Sequence, residues 1–293
     1  MTPRPLRPGD RVTVVSPAGP VSAGLLHAGV AWLTTWGLDV RIAPHALDTH
    51  PVLPYLAGAD ADRARDFQDA WCDPSVAAVL CARGGYGSQR IVDLVDWDRL
   101  VRSGPKVFVG SSDITALHEP LWRAGVPTWF GPMVGTRAFV HDGPARDRMR
   151  RALFDGVTTV PGVTVVPGTA RGTAVGGNLS LLGAPPPDGA IAFLEDVAEE
   201  PYRLDRMLTA LLRGGWFAGV AGIVLGSWTG CGDVDGVLHD RLGGLGVPIL
   251  GSVAFGHCAG QHTVPLGIAV SIGTGCVEFA PPSASRARSP ESR

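Results

Sequence analysis

Lys106-Val-Phe-Val-Gly-Ser-Ser-Asp-Ile-Thr115 is the stretch whose reading decides the fold. Its first four residues have strand character and run into Gly110. Two serines and an aspartate follow, and Ala116-Leu-His-Glu-Pro-Leu-Trp122 then reads as a helix. A strand that hands over to a helix through a tight turn is the repeating unit of an α/β sheet. It also places Ser112 beside unpaired helix N–H groups and the positive end of a helix dipole, where an oxyanion would be stabilised. Two readings of Ser112 stand side by side. Ser-Asp after a strand is ordinary helix-cap chemistry, and a serine at such a turn is also well placed for nucleophilic attack.

The neighbouring sequence repeats the same unit. Arg11 to Ser16 is β-rich and ends in a Pro-Ala-Gly-Pro turn. Ser22 stands where it could cap a helix bearing Leu25, Leu26, Gly29, Val30 and Leu33, stopped at Gly37. Leu38 to Ile42 reads as a strand, residues 60–71 as a helix, and Val76 to Cys81 as a buried strand running into Arg83-Gly-Gly-Tyr-Gly87. Ile91, Leu94 and Val95 continue as a helix. Strands and helices alternating over short connections predict a doubly wound parallel sheet, with ligands outside the carboxyl ends of its strands. The Gly84-Gly85 loop and Ser112 both fall at such ends.

From Arg137 the character changes to a polar helix around Arg146 to Arg151 and then to Val-, Thr-, Pro- and Gly-rich sequence. The chain accordingly divides into an N-terminal domain over 1–137, a connection over 138–172, a C-terminal domain over 173–280 and a disordered tail over 281–293. In the C-terminal part, strands are expected at Ala190 to Leu194, Val220 to Leu225, Val247 to Phe255, Gly267 to Ile272 and Cys276 to Phe279. A helix follows Pro201 with Leu204, Met207, Leu208, Leu211 and Leu212 on one face, and a short one spans Val237 to Leu242.

Composition narrows the function. Over 293 residues, 45% hydrophobic and 18% charged content excludes global disorder. A net charge of −2 without a basic stripe argues against nucleic acid as a partner. No apolar run reaches the roughly 18 residues of a membrane span, and the N-terminus lacks signal-peptide character, so a cytoplasmic location is expected. Five scattered cysteines without C-x-x-C spacing point to neither a disulfide framework nor a zinc site, and no cofactor is expected.

Three polar residues follow predicted strands: Ser112, Glu195 and His257. A serine nucleophile needs a base, and the base needs an acid to fix its tautomer. Gly110-Ser-Ser-Asp-Ile lacks the second glycine of G-x-S-x-G, so it departs from the usual nucleophile elbow. The glycine loop can give an oxyanion N–H, cradle a phosphate or simply turn; it fits neither G-x-G-x-x-G nor a P-loop. Glu195-Asp196 also suits a solvated pair before a helix. His118 is a rival base, though His118-Glu119 is not part of an H-E-x-x-H zinc motif.

Together these motifs resemble the LD-carboxypeptidases, the serine peptidase family of muramoyltetrapeptide carboxypeptidase and the microcin C self-immunity peptidases. The resemblance rests on Arg7-Pro-Gly-Asp-Arg-Val-Thr-Val-Val-Ser-Pro-Ala18, Arg83-Gly-Gly-Tyr-Gly87, Val109-Gly-Ser-Ser-Asp-Ile-Thr115 and Gly176-Gly-Asn-Leu179. It continues in Phe193-Leu-Glu-Asp196, Glu-x-Pro-Tyr-Arg-Leu-Asp-Arg-Met-Leu208 and Phe255-Gly-His257 with Pro265-Leu-Gly267. It implies an N-terminal domain like class I glutamine amidotransferases, a separate and smaller C-terminal α/β domain, and a homodimer. It implies Ser112 as nucleophile, His257 as base and Glu195 as the triad acid, with an oxyanion hole from the backbone N–H of Asp113 and of Gly84 or Gly85. The implied substrate is a peptide or muropeptide cut between an L-centre and a terminal D-amino acid. Arg83 and Arg203 are candidates for its carboxylate. Ser111, Val264 and a short segment Trp228 to Val234 depart from the family pattern, and Trp228 is a candidate for leaving-group selection. Rival readings keep the scaffold: an immunity hydrolase of peptidyl or aminoacyl nucleotides, an acyl-transfer enzyme, or a non-catalytic binding protein.

Overall fold

The computed structural model describes residues 3–280, so the expected tail lies outside the described residues. The first sheet contains β1 (Arg11–Val15), β2 (Asp39–Ile42), β3 (Val76–Cys81), β4 (Val107–Gly110) and β5 (Thr128–Phe130). The second contains β6 (Thr159–Pro161), β7 (Val163–Val166), β8 (Ala170–Asn178), β9 (Ile191–Val197), β10 (Gly222–Thr229) and β11 (Ile249–Gly251). Of the last three strands, β12 (Val264–Leu266) returns to the first sheet, while β13 (Ala269–Gly273) and β14 (Cys276–Phe279) complete the second.

The first sheet has the order β12-β5-β4-β3-β1-β2, with parallel pairing everywhere except at β12. Its strands bury both faces. Along β3, Ala78 and Leu80 face one core while Val79 and Cys81 face the other; along β4, Val107 and Val109 oppose Phe108. That period of two needs helices on both sides. α1 (Ala23–Thr35), α5 (Arg137–Val140) and α6 (Gly143–Phe154) cover one face through Leu26, Leu33, Phe139 and Met149. α2 (Asp60–Cys72), α3 (Trp97–Arg102) and α4 (Thr115–Arg123) cover the other through Phe67, Trp71, Leu100 and Leu117. The doubly wound expectation is met.

The second sheet runs β6-β14-β13-β8-β9-β10-β11-β7, with a parallel centre of β8 to β11 and antiparallel edges. α7 (Pro201–Arg213) and α8 (Asp235–Leu242) cover one face, with Leu204, Leu208, Leu238 and Leu242 against Leu194, Ile223 and Leu225. The opposite face packs on the first unit. Phe193, Phe255, Val264 and Leu266 share one buried cluster with Phe130 of β5, and the Phe255 ring lies 5.9 Å from Phe130 and 5.5 Å from Phe193.

Three local expectations change. The segment expected as a helix around Ile91 is a 3-10 turn, Ser88–Leu94, entered from Gly87 at φ 127° and tied at its first residue to Asp113. The strand expected from Val247 to Phe255 narrows to β11, because Ser252 adopts φ 52° and turns the chain away. Glu195 and Asp196 lie inside β9, which continues to Val197. The three-residue strands β5 and β12 carry no alternating pattern that the sequence would show.

β12 ties the halves. Leu266 is fully buried, and truncating such a leucine typically costs about 2–5 kcal/mol. Leu266→Ala is expected to lower the thermal midpoint by several degrees in a single transition. Scanning calorimetry showing two separated transitions, only one of them moved, would contradict this coupling.

Candidate active site

Ser112 opens a short 3-10 turn, Ser112–Ile114, between β4 and α4. Its φ is 60°, the left-handed region that costs a non-glycine residue on the order of 1–2 kcal/mol. The turn is therefore a strained strand-to-helix elbow even without the second glycine, and its neighbours hold it. Ile114 N–H donates to Ser111 C=O at 3.1 Å. The Thr115 hydroxyl donates to Ser112 C=O at 2.7 Å.

The glycine loop after β3 is drawn against this turn. Ser88 N–H donates to the Asp113 carboxylate at 2.7 Å, and the Ser88 hydroxyl donates to Asp113 C=O. Asp113 therefore does not cap α4: its carboxylate fastens the loop to the elbow. A Cβ on Gly84 would stand 2.9 Å from Ser112 Cβ and 3.1 Å from Ser112 Oγ, so only glycine lets the backbone approach the hydroxyl this closely. Gly19 N–H holds Gly84 C=O at 3.0 Å.

Glu195 and His257 come from the second unit. Glu195 is fully buried, and its Oε2 accepts His257 N–H at 3.1 Å and lies 2.7 Å from His257 Nδ1. Asn178 Nδ2, at the end of β8, donates to Glu195 Oε1 at 3.3 Å and to Asp196 Oδ1 at 3.0 Å. Asn178 N–H in turn donates to the Thr115 hydroxyl at 3.0 Å. A continuous chain of bonds thus runs from the Ser112 carbonyl through Thr115 and Asn178 to Glu195 and His257.

Burial lowers the affinity of His257 for its second proton, but the hydrogen bond and charge of Glu195, with the charge of Asp196, outweigh it and hold the imidazole above its ordinary 6.5. Burial, helped by the Glu195 charge, raises the Asp196 carboxyl against the hydrogen bonds from Val197, Asn178 and Ser180. His118 is fully buried and its Nε2 donates to Gly110 C=O at 3.1 Å. Burial depresses its titration to about 4, so it is a neutral prop under the elbow and not a base facing the cavity.

Ser112, His257, Gly84, Gly85 and Arg83 line one cavity of about 620 Å³. Two sequence candidates are elsewhere. Arg203 projects from α7 toward solvent, donating to the Tyr202 hydroxyl at 3.2 Å and pairing with Glu199 at 3.7 Å. Trp228 stands opposite Asp196 on β10 and packs with the α7 and α8 core. Arg137 and Gln261, unmarked in the sequence reading, do line the cavity, as does Ser22, whose hydroxyl makes no cap bond to α1. A smaller cavity of about 320 Å³ near Pro5, Val107 and Pro265 is lined by none of the candidates. Among the described residues no group of three or more His, Cys, Asp or Glu could hold a metal ion, and no helix is long and apolar enough to cross a membrane.

Two sequence profiles match this chain: the LD-carboxypeptidase N-terminal domain over residues 12–131 and the LD-carboxypeptidase C-terminal domain over residues 171–272. The chain belongs to the LD-carboxypeptidase family. This is a serine-type carboxypeptidase family; the first match spans β1 to β5 of the first sheet, and the second spans β8 to β11 of the second sheet together with β12, which pairs with the first. A Streptomyces coelicolor relative bearing a carboxypeptidase name is 51% identical over 282 residues, 91% of each chain. The murein tetrapeptide carboxypeptidase of Pseudomonas aeruginosa is 30% identical over 88% of this chain and 91% of its own. Among solved structures, muramoyltetrapeptide carboxypeptidase from Oxalobacter formigenes superposes with a TM-score of 0.81 at 27% identity, covering 92% of this chain and 97% of its own. An MccF-like protein from Bacillus anthracis gives 0.85 at 25% identity, with 95% and 99% covered.

The Thr115 hydroxyl links the serine turn to Asn178, and a single isosteric change removes it. Thr115→Val leaves the Ser112 carbonyl and the Asn178 N–H without this partner, a loss of about 1–3 kcal/mol per buried group. Urea denaturation is expected to show that loss in Thr115→Val and little of it in Thr115→Ser, which keeps the hydroxyl.

Proposed function

We propose that this protein is a serine LD-carboxypeptidase that hydrolyses the amide between an L-centre and a terminal D-amino acid, releasing D-alanine from muropeptide tetrapeptides. One arrangement carries the reading. Ser112, in left-handed backbone, opens onto the same cavity as His257, whose Nδ1 lies 2.7 Å from a fully buried Glu195. The murein tetrapeptide carboxypeptidase relative supports the substrate class.

In this mechanism Ser112 Oγ attacks the carbonyl carbon of the L-centre while its proton passes to His257 Nε2. Glu195 holds Nδ1–H, fixing the tautomer and stabilising the imidazolium. The carbonyl electron pair moves onto oxygen, where the N–H groups of Asp113 and of Gly84 or Gly85 receive it. Collapse breaks the C–N bond, and His257 gives its proton to the departing amine. Water then attacks the ester, His257 takes a proton from it, and Ser112 leaves with the hydrogen restored. The same reading carries a role in peptidoglycan recycling by a cytoplasmic homodimer, a state that sedimentation of the purified protein would register.

Mass spectrometry of an L,D-linked tetrapeptide incubated with the protein is expected to show loss of D-alanine, and Ser112→Ala to abolish it. Retained turnover in that variant would sink the serine mechanism. Faster cleavage of an aminoacyl sulfamoyl adenosine than of the tetrapeptide would replace the substrate.

The pH profile is a separate test. His257 must be unprotonated to act as a base, and its value is held above 6.5. Activity is therefore lost as pH falls through a midpoint above 6.5. Glu195→Gln removes the anion and leaves the burial, so the midpoint moves down while kcat falls by about 10²–10⁴. An unmoved midpoint would mean that another group titrates.

A further inference from the structure

We infer that Arg137 binds the free terminal carboxylate of the substrate and so makes the enzyme an exopeptidase; the inference rests on the proposed function and assigns its recognition subsite. The cavity around Ser112 has no aspartate or glutamate in its lining but has two arginines, Arg83 and Arg137. Its walls therefore favour an anionic ligand.

The two guanidinium groups are not equivalent. Arg83 Nη1 donates to Pro20 C=O at 3.0 Å, so part of that side chain is spent fastening the loop after β1 to the glycine loop. Arg137 is exposed where it borders the cavity, and its guanidinium makes no hydrogen bond or ion pair to any side chain or backbone group among the described residues, which leaves its donors to solvent or to a ligand. Its backbone is nonetheless well held. Gly135 N–H donates to Ala82 C=O at 2.8 Å and Val134 N–H to Cys81 C=O at 3.1 Å, which lays the segment leading to Arg137 alongside the one leading to Arg83. The Thr136 hydroxyl donates to Met133 C=O at 2.7 Å.

An exopeptidase must distinguish a chain end from a continuing chain, and the end is a carboxylate. A planar guanidinium on a fixed backbone, with its donors uncommitted, matches a carboxylate through two parallel N–H bonds. Substrates with a blocked or extended C-terminus give it no charge to bind.

The experiment compares wild type, Arg137→Ala and Arg137→Lys on a tetrapeptide ending in free D-alanine and on the same peptide ending in D-alanine amide. Fluorophosphonate labelling of Ser112 is measured in parallel. For Arg137→Ala the expected result is a loss of about 10–100-fold in kcat/KM on the free acid, mostly in KM. Turnover of the amide and the labelling rate should stay within about twofold, and Arg137→Lys should recover part of the loss. An equal loss on both peptides, or none on the free acid, overturns the inference while leaving the serine mechanism standing. Wild-type protein that neither labels nor cleaves overturns the proposed function, and this subsite with it.

Discussion

A fully buried carboxylate governs this structure. An ionised side chain removed from water is costly unless its lone pairs are met, and Glu195 has no exposed surface. Its partners come from two places that the chain reaches far apart: Asn178 at the end of β8, and both the backbone and the ring of His257. Each approach needs a missing side chain. A Cβ on Gly256 would stand 2.4 Å from Glu195 Oε2, and one on Gly177 would meet the Thr115 hydroxyl at 2.6 Å. The glycines of the motifs thus mark where backbone must close on the acid and on the serine turn.

The charges are arranged about His257 in a definite sense. Glu195 and Asp196 raise the affinity of the imidazole for a proton, while the cavity that His257 borders is lined by Arg83, Arg137 and the glycine loop. Asp196 is not left idle: Ser180 and Val197 N–H and the Asn178 amide all donate to it. Those bonds fix the Asn178 amide, whose other contact orients Glu195. The second acid therefore acts as a brace for the first.

Much of this was legible from residues alone, for physical reasons. Val76 to Cys81 and Val107 to Gly110 bury both faces, and such runs stand out as continuous apolar sequence. Leu204 and Leu208 repeat at a helical interval on a helix with a solvated opposite face. Ser112, Glu195 and His257 stand out in the sequence because each follows or ends a strand; Ser112 and His257 share the cavity and Glu195 bonds the imidazole. β5 and β12 escaped notice because three residues carry too little periodicity, and Pro265 obscures the second. Arg137 is solvent-exposed, and nothing in the sequence separates it from any other surface arginine; only the fold shows that it borders the cavity. Arg203 is a cation within the Glu-x-Pro-Tyr-Arg motif and Trp228 stands in the short segment that departs from the family pattern, yet one points from a helix into solvent and the other packs under α7 and α8.

Two units joined by a polar interface usually move against each other, and a site split between them would then lose its geometry. Three features oppose that motion here. The interface is an apolar core in which Phe130, Phe193, Phe255, Val264 and Leu266 are all buried. The Thr115–Asn178 bond fixes the serine turn to the end of β8. The loop after His257 is also clasped by α6 of the first unit, since Asp142 accepts Gly260 N–H at 2.6 Å and Arg148 donates to Gly260 C=O. His257 is thereby held from its own unit by Glu195 and from the other unit through Gly260. The position of the imidazole relative to Ser112 is a property of the interface, which neither domain would possess alone.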